Sequence, residues 1–231
     1  MRFDEAVLDE AVRVQRRRPV LRLYRWSGPA LSIGAHQRLS GELIARCADR
    51  GVEVVRRPTG GTAVLHGDDL TYSVVAPAGR RSVLEAYSWV AEGLIAGLAR
   101  LGIAAQVGGR GPGFPPKGPA EALGAHAACF AATVGADLKV GEAKICGSAQ
   151  VRRSGFLLQH GSIPLADVRP LTRDLLRHPG PNNSTCLERL RPGIKWEEVA
   201  GCLRAGFEGT WGPAREVSLQ ELFPVEYAGS V

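Results

Sequence analysis

The chain has 231 residues, of which 45% are hydrophobic and 23% charged, the proportions of a globular protein with length for one large domain or one domain plus a small appendage. Its formal net charge is +6, which attracts nucleic acid, acidic proteins and phosphates alike and does not choose among them. No apolar run approaches the roughly eighteen residues that a membrane-spanning helix needs, and five cysteines without a CxxC spacing argue against a disulfide framework or a zinc site.

The opening Met1-Arg2-Phe3-Asp4-Glu5 is acidic and leads into an amphipathic run rather than a signal peptide, so the expected setting is cytoplasmic, with reduced thiols. Phe3, Val7, Ala11 and Val14 recur at helical spacing and predict a helix over 4–17. Strands are expected at 20–26 and 30–33 around the Gly28-Pro29 turn, then a short helix near 40–50 stopped by Gly51. Three more strands follow at 52–57, 62–66 and 70–76. The clearest helix is 82–101, where Ser82 and Glu85 form a capping-box pattern and Val83, Tyr87, Val90, Leu94, Leu98 and Leu101 one apolar stripe. Residues 108–127, rich in Gly, Pro and Ala, read as a long mobile loop, after which strands are expected at 136–141, 143–150 and 155–165. A helix near 194–208 carries Trp196, Val199, Leu203 and Phe207 on one face, and 225–231 reads as a frayed end. Helices before, between and after short strands predict α+β packing in a single domain over 1–231, with a helical C-terminal segment from 166.

Three segments can carry chemistry. In Arg57-Pro58-Thr59-Gly60-Gly61, the glycine pair lets backbone approach a ligand, and Arg57 has the planar fork that suits a carboxylate or phosphate. A plain hairpin turn explains the same residues, and His66 beyond it reads equally as a structural histidine. In Lys144-Ile145-Cys146-Gly147-Ser148-Ala149, the two-residue period of a strand puts Lys144, Cys146 and Ser148 on one face, unless this is a solvated edge strand. In Leu157-Leu158-Gln159-His160-Gly161-Ser162, a polar histidine-glycine step interrupts an apolar strand, as at a bulge or a ligand's close approach. Only Lys117, Lys139, Lys144 and Lys195 are lysines. Against so much arginine, a lysine marks a place that needs a compact, deprotonatable ammonium, or merely survives by chance.

Taken in order, RRPTGGTAVLH, LTYSVV, KICGSAQVRR and LLQHGSI, preceded by DEAVLDEA and LRLYRWSGPALSIGAHQ, resemble the lipoate–protein ligase A and octanoyltransferase superfamily over residues 4–165. The resemblance implies an α+β fold shared with biotin ligases, a mixed, largely antiparallel sheet covered by helices, with a bent acyl tunnel. It implies that Arg57, Thr59, Gly60, Gly61 and His66 line the acyl site, that Lys144 contacts the reacting carbonyl, and that Gly147, Ser148, Ala149, His160 and Gly161 form the opposite wall. Cys129-Phe130, placed before the KICGSAQ strand, and Asp137-Leu138 are similar to the cysteine-dependent LipM-type octanoyltransferases, although Ala131–Ala136 departs from that pattern.

On this reading Cys129 is the nucleophile, its thiolate favoured by the nearby cation of Lys144. Cys146 is the rival, Cys47 and Cys202 are core residues, and Cys186, among Asn, Ser and Thr, is an exposed bystander. The expected donor is an acyl carrier protein and the expected acceptor a lipoyl-domain or glycine-cleavage H protein. No cofactor, metal, nucleic acid or membrane is expected. The alternative is an ATP-dependent lipoate–protein ligase, which would bring ATP and Mg. A biotin ligase and a non-catalytic accessory subunit are weaker readings.

Overall fold

The computed structural model describes residues 1–108, 137–177 and 183–223. The expected loop from Gly109 on, Cys129 and the expected frayed end all lie outside them. Two sheets organise the fold. The larger has six strands in the order β1 (Val20–Tyr24), β5 (Asp69–Pro77), β9 (Phe156–Pro164), β8 (Ala143–Arg153), β7 (Leu138–Val140) and β6 (Ala105–Val107). All its pairings are antiparallel. The smaller sheet places β2 (Ala30–Ile33) between β3 (Glu53–Arg56), parallel to it, and β4 (Val64–His66), antiparallel. The fold is therefore the α+β packing that the order of strands and helices predicts, with the mixed, mainly antiparallel sheet arrangement that the family resemblance implies.

Strand β5 is buried almost end to end, because helices cover both faces of its sheet. On one face α3 (Val83–Arg100) and α6 (Trp196–Trp211) pack over Leu70, Tyr72, Val74 and Ala76. On the other, Val7, Leu8 and Ala11 of α1 (Arg2–Arg13) meet Val75, Phe156 and Leu158. Helix α3 begins as its sequence predicts: Glu85 N donates to Ser82 Oγ at 3.3 Å and Ser82 N to the Glu85 carboxylate at 2.6 Å. Small residues set the α3–α6 approach, since a Cβ on Gly206 would stand 2.3 Å from Gly97 N and one on Gly93 2.3 Å from the Phe207 ring. A third cluster, with Leu31, Ile33, Leu43, Cys47, Leu65 and Leu175, joins the small sheet to α2 (Gly41–Asp49) and α4 (Arg169–Leu176). Two short helices, α5 (Leu187–Leu190) and α7 (Leu219–Leu222), complete the described C-terminal part.

Four expectations need correction. The first helix stops at Arg13, because Gln15 turns the chain at φ 49°, so Val14 is left exposed and Leu8 takes the buried position. In the long helix the stripe is Ala86, Val90, Leu94 and Leu98, while Val83 faces out. The Pro58–Gly61 segment is not a hairpin turn: β3 and β4 lie on opposite sides of β2, so the loop must cross that strand's end. Cys186 is buried rather than exposed. Its polar neighbours pair with backbone, Lys144 N donating to Asn183 O and Thr185 N to Lys144 O at 2.9 Å each, which turns Cys186 inward ahead of core Leu187.

Candidate active site

Loop 57–63 owes its shape to packing against β2. A Cβ on Gly34 would stand 2.1 Å from Gly61 O, so only glycine lets the loop lie this close. Arg57 ties the loop from inside. Its Nη2 donates to Gly60 O at 2.9 Å and Thr62 O at 2.7 Å, and its Nη1 to Ser32 O at 3.0 Å. The guanidinium is buried as a brace between its own loop and β2, while Arg57 also lines the cavity described next. On the other wall, Gly161 of β9 pairs with Ser148 of β8 and with Tyr72 of β5. A Cβ there would meet Gly147 O at 2.4 Å and the Tyr72 ring at 2.6 Å. The two glycine clusters that stand out in the sequence are both places where backbone approaches backbone.

Between these walls lies an open-mouthed cavity. Ser32, Arg57, Val64 and His66 line it from the small sheet and its loop, and Thr71, Gly147, Ser148, Ala149, His160 and Gly161 from the large sheet. Most of the expected site residues therefore converge on one space. Thr59 lies against it through a 2.6 Å bond to His160 Nε2, and Gly60 and Gly61 belong to the loop that Arg57 braces. A second cavity flanks the far side of β4 and shares Val64 with the first. Its charged groups are already paired, Asp167 with Arg169 at 2.7 Å and with Arg189 at 2.8 Å, and no described histidine lines it.

Two histidines face the first cavity. His66 Nδ1 lies 2.9 Å from Asp69 Oδ2, and its Nε2 2.8 Å from Ser32 Oγ. Asp69 also accepts from Thr71 Oγ1 at 3.0 Å, Ser162 Oγ at 2.6 Å and Gly67 N at 3.2 Å. The Trp26 ring stacks on His66 at 4.3 Å. His160 is fixed differently. Its Nδ1 has no hydrogen-bond partner, and the nearest carboxylate oxygen, on Asp4, is 3.7 Å away. Burial pushes His160 below its ordinary value against the pull of Asp4, so the ring is neutral. Asp4 itself accepts from Arg22 Nη1 at 2.6 Å, Ser73 Oγ at 2.7 Å and Tyr24 OH at 3.0 Å. Burial would raise its carboxyl, but its polar neighbours, with Arg22 and Ser73 in direct hydrogen bonds, outweigh it and hold the group at about 2.

A third polar chain ends at Ser148. Gln150 Nε2 donates to Gln159 Oε1 at 3.0 Å, Gln159 Nε2 donates to Tyr72 OH at 3.1 Å, and Tyr72 OH lies 2.7 Å from Ser148 Oγ. Burial holds Tyr72 well above its usual range, so the phenol keeps its proton. Tyr72 OH and Ser148 Oγ share one hydrogen bond, which ties the cavity-lining serine to this chain.

Lys144 is not among the residues lining this cavity. It is 1% exposed and its Nζ is 2.8 Å from Asp137 Oδ2, also 1% exposed. The strict alternation that would put Lys144, Cys146 and Ser148 on one face is interrupted. Leu138 pairs with Cys146 but Lys139 with Lys144, so Ile145 is an extra residue, and Ile145 and Cys146 pack into the same core cluster. Cys146 Sγ still reaches within 3.8 Å of Ser148 Oγ. Cys47 is core, as expected, and Cys202 is half-buried against the main cluster. The sequence reading missed Ser32, Asp69, Asp4 and Tyr72; the spacing of His66 and Asp69 was the one local signal for them. Among the described residues no group of three or more His, Cys, Asp or Glu side chains could hold a metal, and no helix is long and apolar enough to cross a membrane.

Comparison with known proteins agrees with this architecture. The lipoyl protein ligase A/B catalytic domain family matches residues 1–206. Octanoyltransferase LipM of Symbiobacterium thermophilum is 37% identical over 231 aligned residues, covering 90% of this chain and 82% of that protein. Among solved structures, lipoate-protein ligase A bound with ATP superposes with a TM-score of 0.72 at 22% identity, over 94% of this chain and 84% of that one. The bi-partite lipoate protein ligase of Thermoplasma acidophilum does so with a TM-score of 0.67 at 23% identity, over 95% and 83%. At these identities the two structures bear on the fold alone. The chain belongs to the lipoyl protein ligase A/B catalytic domain family and, within it, to the group of the LipM octanoyltransferases.

Proposed function

We propose that the chain is a protein N-octanoyltransferase that takes an octanoyl group from an acyl carrier protein thioester, holds it on Cys129 and passes it to a lysine of a lipoyl-domain or glycine-cleavage H protein. The observation that carries this reading is the convergence of the braced loop 57–63 with the β8–β9 glycine wall on one cavity, in a chain 37% identical to a LipM octanoyltransferase. Gly147, Ala149 and Gly161 leave a narrow space for an unbranched chain. Burying seven carbons at about 0.8 kcal/mol each contributes roughly 5 kcal/mol, enough to favour medium over short chains.

In the first half of the reaction the Cys129 thiolate attacks the thioester carbonyl and the carrier thiol leaves. One thioester replaces another, so the step is close to isoenergetic and needs no nucleotide. Lys144, paired with Asp137 at 2.8 Å, is the group proposed to stabilise negative charge on the carbonyl oxygen, which must reach past the cavity lining to meet it. In the second half the acceptor amine attacks, and amide formation draws the sequence forward. Intact-mass analysis after mixing with octanoyl carrier protein is expected to show one octanoyl adduct, labile to hydroxylamine and lost in Cys129→Ala. Product formation that requires ATP and free octanoate, with no adduct, would make the chain a ligase instead.

A further inference from the structure

Amide formation has a requirement that the acyl-cysteine and Lys144 leave open. The acceptor amine must lose a proton as its nitrogen bonds to carbon. The ammonium of Lys144 is committed to Asp137 at 2.8 Å with both groups 1% exposed, which suits it to hold charge rather than to accept a proton. Resting on the acyl transfer proposed above, we propose that Asp69, His66 and Ser32 form the proton-accepting chain for the attacking lysine, with Ser32 and His66 as catalytic residues and Asp69 as the positioning residue.

The geometry defines each role. Asp69 is surrounded by donors on both oxygens, from Gly67 N, Thr71 Oγ1, Ser162 Oγ and His66 Nδ1. His66 therefore carries its proton on Nδ1 and presents a lone pair on Nε2. Among the described residues the hydroxyl bonded to that nitrogen is Ser32 Oγ at 2.8 Å, and both residues line the cavity. Arg57 Nη1 donates to Ser32 Oγ at 3.3 Å and to Ser32 O at 3.0 Å, which fixes the serine. The Trp26 ring, stacked at 4.3 Å and anchored by Nε1 donating to Thr71 Oγ1 at 2.9 Å, holds the imidazole plane. The protonated state is accommodated as well. When Nε2 gains a proton and donates to Ser32 Oγ, the serine's own proton can turn to Val64 O at 3.5 Å.

The step balances. The acceptor enters as a free amine, its nitrogen forms the C–N bond, and its proton passes to Ser32 Oγ as the serine proton passes to His66 Nε2. The C–S bond breaks, and the imidazolium returns a proton, through Ser32, to the departing thiolate. The products are an amide and a thiol. Aligned nucleophile–base–carboxylate chains of this kind work on the same principle, with the carboxylate fixing the tautomer. Asp69→Asn tests that directly. An amide NH₂ facing Nδ1 would force the proton onto Nε2, and that nitrogen could then no longer accept from Ser32.

The test separates the two half-reactions. Enzyme loaded with octanoyl from carrier protein is mixed with a lipoyl-domain acceptor, and loading and transfer rates are measured by intact mass between about pH 5.5 and 9. In His66→Gln and Asp69→Asn, transfer is expected to slow on the order of 100-fold more than loading, the range for losing a general base. The wild-type plateau should give way to a rate that climbs with deprotonation of the acceptor amine alone. Ser32→Ala, a small and conservative change, should slow transfer about 10-fold. The other charged or titratable groups lining the cavity with His66 are Arg57, His160 and the Met1 amine, and the profile in His160→Gln shows which limb belongs to His66. Equal losses in both half-reactions with the acidic limb in place, or wild-type transfer by Ser32→Ala, would overturn the chain. If the wild type never forms an acyl-enzyme, the transferase reading falls and this assignment falls with it.

Discussion

His66 and His160 look into one cavity from opposite walls, and each has an aspartate behind it, yet the two pairs are built for different work. Behind His66, Asp69 bonds Nδ1 at 2.9 Å and gathers its other donors from neutral groups. Behind His160, Asp4 is already engaged by Arg22, Ser73 and Tyr24, and Nδ1 stops 3.7 Å short of it without a bond. An aspartate near a histidine is thus not enough to make a relay, since both carboxylates take three other donors; what differs is that only Asp69 stands at bonding distance from its ring nitrogen. The first pair fixes a tautomer and presents a base. The second fixes a neutral ring as part of a wall.

The wall is where a single atom should do most harm. Adding a methyl at Gly161 puts carbon 2.4 Å from Gly147 O and 2.6 Å from the Tyr72 ring, and neither backbone nor a buried tyrosine can move cheaply. Gly161→Ala is expected to lower stability by about 3 kcal/mol and to lower transfer with it, read by denaturant unfolding and acyl-transfer rate. The matching change beside the other histidine, Gly67→Ala, meets only Val168 Cγ1 at 3.8 Å and should unfold within about 0.5 kcal/mol of wild type. Equal losses at the two glycines would mean that the walls are not built as differently as the distances say.

Asp4→Asn probes the carboxylate that does not reach. The Asp4 carboxyl sits at about 2 in the folded chain against 3.8 ordinarily. A depressed carboxyl contributes stability that is present above its unfolded value and is lost as the pH falls through its folded one. The wild type should therefore hold about 2 kcal/mol from this group at pH 7 and lose it between about pH 4 and 2. In Asp4→Asn that acid-dependent part should be missing, so the gap from wild type narrows on acidification. A gap that stays constant from pH 7 to pH 3 would show that the neighbours of Asp4 do not depend on its charge.

Much of this organisation was readable before any coordinates. Alternation, caps and glycine stops placed the strands and the two long helices, because those signals are local. Arg57, the glycine pair and the His160-Gly161 step were also visible, since each breaks a local pattern. What could not be read were partnerships between distant elements. Ser32 sits in an apolar strand, Ala30–Ile33, and only the pairing of β2 with β4 brings it to His66. Asp4 lies on the first turn of α1, where an acidic residue is unremarkable, and becomes a buried acceptor only when β1 delivers Arg22 and Tyr24. Cys186 was misjudged because Asn183, Ser184 and Thr185 are polar, and polarity of neighbours does not reveal that their backbone pairs with Lys144.

The smallest effect expected from this comparison belongs to His160→Gln, and it is the one that most sharply separates wall from base. A buried histidine whose affinity for a proton is lowered on folding refuses a proton that the unfolded chain accepts. Its contribution is full above the ordinary value of 6.5 and is lost as the pH falls below it. Denaturant unfolding of the wild type should weaken between pH 7 and pH 5, well above the window of Asp4, and His160→Gln should remove that slope while keeping the steeper loss near pH 3. Glutamine can still meet Thr59, so transfer should fall by at least tenfold less than in His66→Gln. If instead the slope survives in His160→Gln and transfer collapses as in His66→Gln, then the imidazole at 160 exchanges protons during turnover, and the 3.7 Å gap to Asp4 closes when substrate is bound.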